Sequence, residues 1–184
     1  MRSGFRRGGT VESRWSVDAL RVREERLKFV FFWRETGPAG CLSQWARIPF
    51  TVDGTAYATA EHYMMAAKAR LFGDERTAAA IVEVGHPARA KELGRRVQGF
   101  DEEAWVARRL GIVVEGNLAK FAQHAEHRAY LVGTGKRVLV EASPLDRIWG
   151  IGLAADDERA ERVEEWRGLN LLGEALMNVR DALA

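Results

Sequence analysis

Hydrophobic and polar positions alternate with strand-like spacing at only a few places along this chain. Residues 28–33, Lys-Phe-Val-Phe-Phe-Trp, are aromatic and β-branched, which predicts a buried strand. Residues 48–52 and 55–58 are joined by Asp53-Gly54, a strong signal for a type I′ turn, and predict a hairpin. The sequence therefore predicts a small sheet rather than an extended one.

Most of the remaining chain has helical periodicity with recognisable start and stop residues. Asp74, Asp101 and Asn170 stand where N-caps are expected. The pattern predicts helices over 59–73, 74–84, 87–97, 101–123, 126–132 and 171–183, and a strand over 138–140. The apolar face of the longest helix is predicted to be Val106, Leu110, Val113, Val114 and Phe121. This balance predicts a predominantly helical α+β fold in a single domain with a small sheet.

Composition is that of an ordinary globular domain of 184 residues, with 47% hydrophobic and 29% charged residues. No apolar run approaches the roughly 18–20 residues that span a membrane, and no hydrophobic segment follows the N-terminal arginines. The single cysteine, Cys41, cannot form an internal disulfide, and no local motif supports it as a nucleophile. We therefore expect a cytoplasmic protein without a membrane segment.

The net charge of +2 is unevenly distributed. Residues 1–28 contain eight Lys or Arg and four Asp or Glu. We interpret residues 1–27 as a flexible basic extension that precedes the domain at 28–184. The alternative is an arm that holds nucleic acid through phosphate contacts.

The segment 59–68, Thr-Ala-Glu-His-Tyr-Met-Met-Ala-Ala-Lys, is the first candidate for chemistry. Glu61 lies in the first turn of a helix, and Lys68 emerges on nearly the same side about 10 Å further along the axis. Separately, an acid there can simply stabilise the helix, and the lysine can be a surface residue. Their alignment instead suggests a site that acts on a sugar.

Two further regions could contribute to such a site. Trp105 lies off the apolar face of the longest helix, so it either covers a neighbouring helix or stands at a pocket edge where it stacks on a base. The loop 143–153 contains Asp146, which can hold a turn or act chemically. Gly150 and Gly152 are either simple bends or points where a ligand approaches the backbone closely.

Taken in order, these segments resemble the NADAR domain (NAD- and ADP-ribose-associated), over a stretch from about Lys28 to Leu183. The family includes bacterial riboflavin-intermediate N-glycosidases. Several ordered blocks over some 155 residues make the resemblance specific. The matching blocks are Pro49-Phe50 with Asp53-Gly54 and Tyr57, Glu61-His62-Tyr63 with Lys68-Ala69, Trp105, residues 120–124, residues 139–143, Asp146 with Trp149-Gly150, Gly168 with Asn170 and Leu172-Gly173, and Leu176-Met177 with Arg180.

The resemblance implies hydrolysis of an N-glycosidic bond between a phosphorylated ribose and a base or amine. Family members act on ribosylamino intermediates of riboflavin synthesis or remove ADP-ribose from guanine. Their active-site Glu, Trp and Asp match Glu61, Trp105 and Asp146. A lysine linked to a covalent sugar intermediate in ADP-ribose-removing relatives matches Lys68, with Lys120 as an alternative.

Two departures from the family pattern leave the substrate open. The ligand loop reads Ser43-Gln44-Trp45 where the family usually has Ser-Asn, and Trp149-Gly150 is followed by Ile151-Gly152 where riboflavin-type enzymes tend to have Asp-Gly. The substrate-binding residues are expected to be Ser43, Gln44, Trp45, Lys120, Trp149, Gly150 and Gly152.

Mechanistically, the two carboxylates would stabilise positive charge on the sugar, and one would deprotonate the attacking water. A Schiff base at Lys68 requires a lowered pKa, which Glu61 would oppose. The sequence has no metal-ligand motif, and we expect neither a metal nor a cofactor. The alternative function is a non-catalytic module that binds ADP-ribose or an NAD-related nucleotide.

Overall fold

The computed structural model describes residues 13–184, which form seven α-helices and four short strands. The helices are α1 (Val17–Arg21), α2 (Ala60–Leu71), α3 (Glu75–Glu83), α4 (Pro87–Gly94), α5 (Glu102–Ala122), α6 (Ala125–Gly133) and α7 (Leu171–Leu183). The strands are β1 (Phe29–Phe32), β2 (Phe50–Val52), β3 (Thr55–Tyr57) and β4 (Val138–Glu141). The predicted helical α+β class is confirmed.

The local signals in the sequence largely act as expected. Asp53 and Gly54 both have positive φ, 47° and 77°, so the hairpin β2–β3 turns as its dipeptide predicts. The side chains of Asp74 and Asp101 accept hydrogen bonds from the first turns of α3 and α5. Asn170 precedes α7 as predicted, but its side chain does not cap the helix and binds the β4 backbone instead.

The strands pair in a way that the sequence did not predict. β1 lies parallel to β4, with Phe29 opposite Val138 and Phe32 opposite Glu141, and forms a two-stranded sheet separate from the hairpin. Parallel strands end at the same edge, so the segments that follow β1 and β4 emerge side by side. These segments form one wall of the site described below.

Helices cover this sheet and build the core. Helix α2 packs against α3, α4 and α5, while α7 packs against α5 and β4. Val113 and Phe121 of the predicted α5 face are fully buried, and Leu110 and Val114 pack against the core. Val106 is 46% exposed, so its assignment to that face is wrong. The first turns of α5 therefore present fewer apolar side chains to the core than the periodicity suggested.

The described part of the N-terminal extension is folded, which corrects the expectation of a flexible segment for residues 13–27. Helix α1 begins after Ser16, whose side chain caps it, and Trp15, Val17 and Leu20 are buried in the core. These three apolar side chains offset the entropy cost of ordering the segment. Residues 1–12 lie outside the described residues.

Candidate active site

A cavity of about 610 Å³ opens where the parallel strands end, between α2, α4 and the start of α5. This volume is in the range of small-molecule sites. It is lined by Trp33, Arg34, Glu35, Ser43, Gln44, Trp45, Glu61, Met64, Met65, Lys68, Lys91, Gly94, Arg95, Trp105, Glu141, Ser143, Leu145, Asp146 and Trp149. The lining of this cavity thus includes four acidic residues, four basic residues and four tryptophans.

Glu61 is held at the wall by the start of α2. Thr59 caps this helix, and the backbone N–H of Glu61 donates to the carbonyl of Gln44 at 3.0 Å. The side chain is only 3% exposed, and its buried Oε1 has no hydrogen-bond partner within residues 13–184. Burial raises the pKa of Glu61 to about 7, with a smaller contribution from the negative charge of Asp146. Near neutral pH this carboxyl can therefore both hold and release a proton.

Several groups oppose that rise in the pKa of Glu61. Lys91 favours the carboxylate through its positive charge, Trp45 through a side-chain hydrogen bond and Arg95 through a weaker charge effect. Burial outweighs all three, because the pKa stays well above the ordinary glutamate value of 4.5.

Asp146 faces the same cavity and also holds the loop that carries it. Its Oδ1 accepts hydrogen bonds from the backbone N–H groups of Ile148 and Trp149, each at 2.8 Å. The turn-forming role that the sequence left open therefore applies, and the same side chain also lines the cavity. Asp146 and Glu61 are 85 positions apart in the chain, yet they line one cavity as predicted.

Lys68 and Trp105 also reach the cavity. The Nζ of Lys68 donates to the carbonyl of Gly94 at 2.9 Å and lies 5.5 Å from the ring centre of Trp105 and 4.3 Å from that of Phe100. Burial lowers the pKa of Lys68, and the negative charge of Glu102 opposes this fall. From the sequence we expected the charge of Glu61 to oppose the fall in the pKa of Lys68, but the opposing charge is that of Glu102.

The predicted ligand loop lines the cavity through all three of its residues, Ser43, Gln44 and Trp45. The Gln44 Oε1 accepts from Asn117 at 2.9 Å, so the amide is fixed by α5. The Trp45 ring packs edge-on against His86, with ring centres 6.0 Å apart. The loop thus presents one indole and one immobilised amide to a ligand.

Lys120 is placed behind this loop and not in the cavity, which corrects its assignment as a substrate-binding residue. It is fully buried, and its Nζ donates to the carbonyl of Ser43 at 3.2 Å. Burial lowers its pKa to about 7. Lys120 therefore positions the loop, whereas Lys68 lines the cavity.

Trp149 lines the cavity, but Gly150 and Gly152 do not, which corrects their assignment to substrate binding. A Cβ on Gly150 would lie 2.7 Å from the carbonyl oxygen of Glu141, and Gly152 has φ +68°. Both glycines serve the packing and turning of the loop, as the simpler alternative held. The close approach of Gly150 to Glu141 packs the end of β4 against the loop that carries Asp146.

Five charged residues of the cavity were not predicted from the sequence: Arg34, Glu35, Lys91, Arg95 and Glu141. Glu141 is the last residue of β4, and Lys91 and Arg95 lie four residues apart, in the last turn of α4 and at its C-cap. The available signals in the sequence were an acid at the end of a buried apolar strand and a basic pair four residues apart. Only the parallel pairing of β1 with β4 and the packing of α4 on α2 bring them to the site.

A second cavity, of about 620 Å³, adjoins the first and shares Glu35 and Trp45 with it. Its wall includes Cys41, whose pKa is raised by burial, so the thiol is not activated as a nucleophile. Neither Glu61 nor Asp146 reaches it. The first cavity is therefore the candidate active site.

Residues 13–184 contain no group of three or more His, Cys, Asp or Glu side chains placed to hold a metal ion. Within the same residues, no helix has both the length and the apolar character that crossing a membrane requires.

Comparison with known proteins places this chain in a known family. The NADAR domain model matches residues 31–184. N-glycosidase R617 of Acanthamoeba polyphaga mimivirus is 40% identical over 165 residues, which cover 85% of this chain and 97% of that protein. N-glycosidase YbiA of Escherichia coli is 32% identical over 169 residues, covering 89% and 97%. The NMR structure of Escherichia coli YbiA superposes with a TM-score of 0.70 at 30% identity, covering 89% and 92%.

The match spans nearly the whole of these relatives, and several of them are N-glycosidases. The predicted enzyme class is confirmed: this chain is an N-glycosidase, a hydrolase of N-glycosyl compounds. The chain belongs to the NADAR domain family.

Proposed function

We propose that this enzyme hydrolyses the N-glycosidic bond of a phosphorylated ribosyl compound, either a ribosylaminopyrimidine phosphate of the riboflavin pathway or ADP-ribose attached to guanine. The observation that carries the proposal is the convergence of Glu61 and Asp146, with tryptophans beside them, on one cavity of about 610 Å³. A ribose with its base and phosphate is a ligand of that size class.

The two acids suit the charge that develops during cleavage. As the bond to nitrogen lengthens, positive charge builds on the anomeric carbon and the ring oxygen. Carboxylates fixed beside that centre stabilise the charge without reorganising. With a pKa of about 7, Glu61 is also matched to accept the proton of the attacking water near neutral pH.

Other residues of the cavity would bind the two ends of the substrate. Trp105 and Trp149 offer aromatic faces on which a base can stack. Lys91 and Arg95 extend from α4 as a basic pair suited to phosphate oxygens.

The test is to incubate the protein separately with ribosylaminopyrimidine phosphates and with ADP-ribosylated guanosine, and to detect the released pyrimidine or guanosine by mass spectrometry. We expect release from one of them, and a loss of about 10²–10⁴-fold in Glu61→Gln. Glu83→Gln, an exposed glutamate at the end of α3, serves as the matched control.

The outcomes separate catalysis from binding alone. If neither the free pyrimidine nor guanosine is released from these substrates, the proposed reaction is refuted. Tight binding of ADP-ribose that is equal in the wild type and in Glu61→Gln, without turnover, would instead support the nucleotide-binding alternative.

A further inference from the structure

Glu141 is an acid of the cavity to which the proposed reaction has so far given no role. It is the last residue of β4, and its backbone is fixed on both sides. Its N–H donates to the Asn170 side chain at 3.0 Å, and its carbonyl accepts from Ile151 at 3.0 Å. The side chain therefore projects into the cavity from a rigid origin, as a catalytic group requires.

Glu141 is half-buried, and one oxygen of its carboxyl is shielded without a hydrogen-bond partner among the described residues. Its Oε2 is shielded from solvent and has no hydrogen-bond partner within residues 13–184. A buried polar atom without a partner costs free energy, so such an atom at a cavity wall indicates a partner that the substrate supplies. Glu61 presents an unpartnered Oε1 in the same cavity, again among the described residues.

The charges that surround Glu141 come from every element that lines the cavity. Glu61 on α2 and Asp146 on the loop bring negative charge, and Lys91 on α4 opposes them. The remaining charged groups in the cavity are Arg34, Glu35, Lys68 and Arg95. Burial, then Asp146 and Glu61, raise the pKa of Glu141 to about 8, so at neutral pH it holds a proton. The pKa of Glu141 lies above the pKa of Glu61, which is about 7, so Glu141 is the stronger proton holder of the two.

We propose that Glu141 is the general acid of the reaction and delivers a proton to the nitrogen that leaves the sugar. The inference rests on the proposed function, because it assigns a residue to that same bond cleavage. The two acids then have different roles: Glu141 protonates the leaving nitrogen, and Glu61 accepts a proton from the attacking water.

The step balances without any further reactant. The bond between the anomeric carbon and nitrogen breaks, its electron pair stays on nitrogen, and nitrogen takes the proton of the Glu141 carboxyl. Water then adds to the anomeric carbon and gives its proton to the Glu61 carboxylate. The products are the free pyrimidine and ribose 5-phosphate, or guanosine and ADP-ribose, and transfer of the proton from Glu61 to Glu141 restores the enzyme.

The assignment predicts which substrates depend on Glu141. An aminopyrimidine or a purine leaves poorly as an anion and needs a proton as it departs, whereas a nitrophenolate leaves without one. The chemical class that this site favours is therefore a ribosyl phosphate with a weakly acidic nitrogen leaving group.

The experiment compares Glu141→Gln with the wild type on two probes. One is whichever ribosylaminopyrimidine phosphate or ADP-ribosylated guanosine the wild type cleaves, and the other is 4-nitrophenyl riboside 5-phosphate. We expect Glu141→Gln to lose about 10²–10⁴-fold in kcat on the nitrogen compound and less than about tenfold on the nitrophenyl compound. Glu61→Gln should lose activity on both, and the alkaline limb of the pH profile should disappear only in Glu141→Gln.

Equal losses on both probes, or full activity of Glu141→Gln on the nitrogen compound, would overturn the assignment of Glu141 and leave the proposed function standing. Failure of the wild type to cleave any probe would overturn the proposed function together with it.

A measurement on the wild-type protein tests the assignment even if Glu141→Gln does not fold. In wild-type protein labelled with ¹³C at the glutamate carboxyl, one resonance should titrate above pH 7 and move when the product, ribose 5-phosphate, is added. If every glutamate resonance titrates below pH 6, Glu141 does not hold the proton and the proposal fails.

Discussion

At the scale of single residues, the acids of the site make the protein less stable as the pH rises. Glu61 and Glu141 have pKa values of about 7 and about 8 in the folded protein, above the ordinary value of 4.5. Between pH 4.5 and those values the folded state binds more protons than the unfolded state. The free energy of unfolding must therefore fall over this window and level off above pH 8.

This gives a prediction for Glu61→Gln. Its free energy of unfolding, measured with urea at pH 5, 6, 7 and 8, should fall less steeply than that of the wild type. The difference is at most about 1.4 kcal/mol per pH unit between pH 5 and 7, because one titrating group is removed. Glu83→Gln is the control and should follow the wild type. Parallel curves for Glu61→Gln and the wild type would show that the buried carboxyl is not protonated.

Lys68 gives a second prediction at this scale. Its lowered pKa and its place on the cavity wall suit an amine that forms a Schiff base with the opened sugar. Direct attack by water, as proposed above, predicts that borohydride added during turnover traps no sugar on Lys68, whereas a covalent route predicts an adduct that mass spectrometry locates there after proteolysis. Lys68→Arg cannot form the adduct, while Lys120→Arg tests the buried lysine. An active wild type without any adduct would exclude the covalent route and leave direct attack by water.

At the scale of elements, the loop that carries Asp146 depends on the segment before α7. The backbone N–H of Leu169 donates to the carbonyl of Arg147 at 2.9 Å, and that of Asn170 donates to the carbonyl of Gly150 at 3.2 Å. Gly168 directly precedes these two residues, and a Cβ there would come within 2.8 Å of the Arg147 backbone. The two segments therefore pack backbone to backbone.

We expect Gly168→Ala to displace the loop, because no flexible side chain is available to move aside. Overpacking of this kind costs about 1–3 kcal/mol. The melting temperature should fall by about 2–4 °C per kcal/mol, and kcat should fall because Asp146 and Trp149 shift. Gly133→Ala, at a site where an added Cβ meets no atom within 4 Å, is the control. Unchanged melting and turnover in Gly168→Ala would mean that the loop adapts freely.

At this scale, features set by residues close together in the chain could be predicted from the sequence, and features set by distant segments could not. The Asp53-Gly54 turn and the capping aspartates act over a few residues, so they were predicted correctly. The pairing of β1 with β4 joins segments over 100 residues apart, and no local signal specifies it. Glu141 was missed for this reason, since its role exists only once β4 ends beside the loop and α2. Helix α4 ends at Gly94 and not at Val97, and the carbonyl of Gly94 accepts a hydrogen bond from Lys68 of α2.

At the scale of the whole molecule, the described N-terminal segment joins the C-terminal helix. The indole nitrogen of Trp15 donates to Asp181 at 2.6 Å, and the guanidinium of Arg180 lies 5.1 Å from its ring centre. Arg14 pairs with the same aspartate at 2.8 Å. The guanidinium of Arg23 also packs over the indole, 4.6 Å from the ring centre. Part of the basic charge in this segment is thus used inside the molecule.

This packing changes how a nucleic-acid role of the segment must be tested. Deleting residues 1–27 would remove core side chains together with the arginines, so weaker nucleic-acid binding would not be attributable to charge. The pair Arg21→Ala and Arg26→Ala removes exposed charge and leaves Trp15 in place. If the segment holds nucleic acid, the slope of log affinity against log salt should fall by about one for each phosphate that is no longer neutralised.

The structural role of the segment can be measured directly through Trp15. Because the ring is 5% exposed and packs in the core, Trp15→Ala should lower the free energy of unfolding by about 3–5 kcal/mol. The KM of the cleaved substrate should not change, since Trp15 does not line the cavity. Val22→Ala, at a side chain 79% exposed just beyond α1, is the matched control and should have little effect on stability. If Trp15→Ala is as stable as the wild type, residues 13–27 are a peripheral extension and not part of the core. The arginines of that segment would then be available to bind a partner.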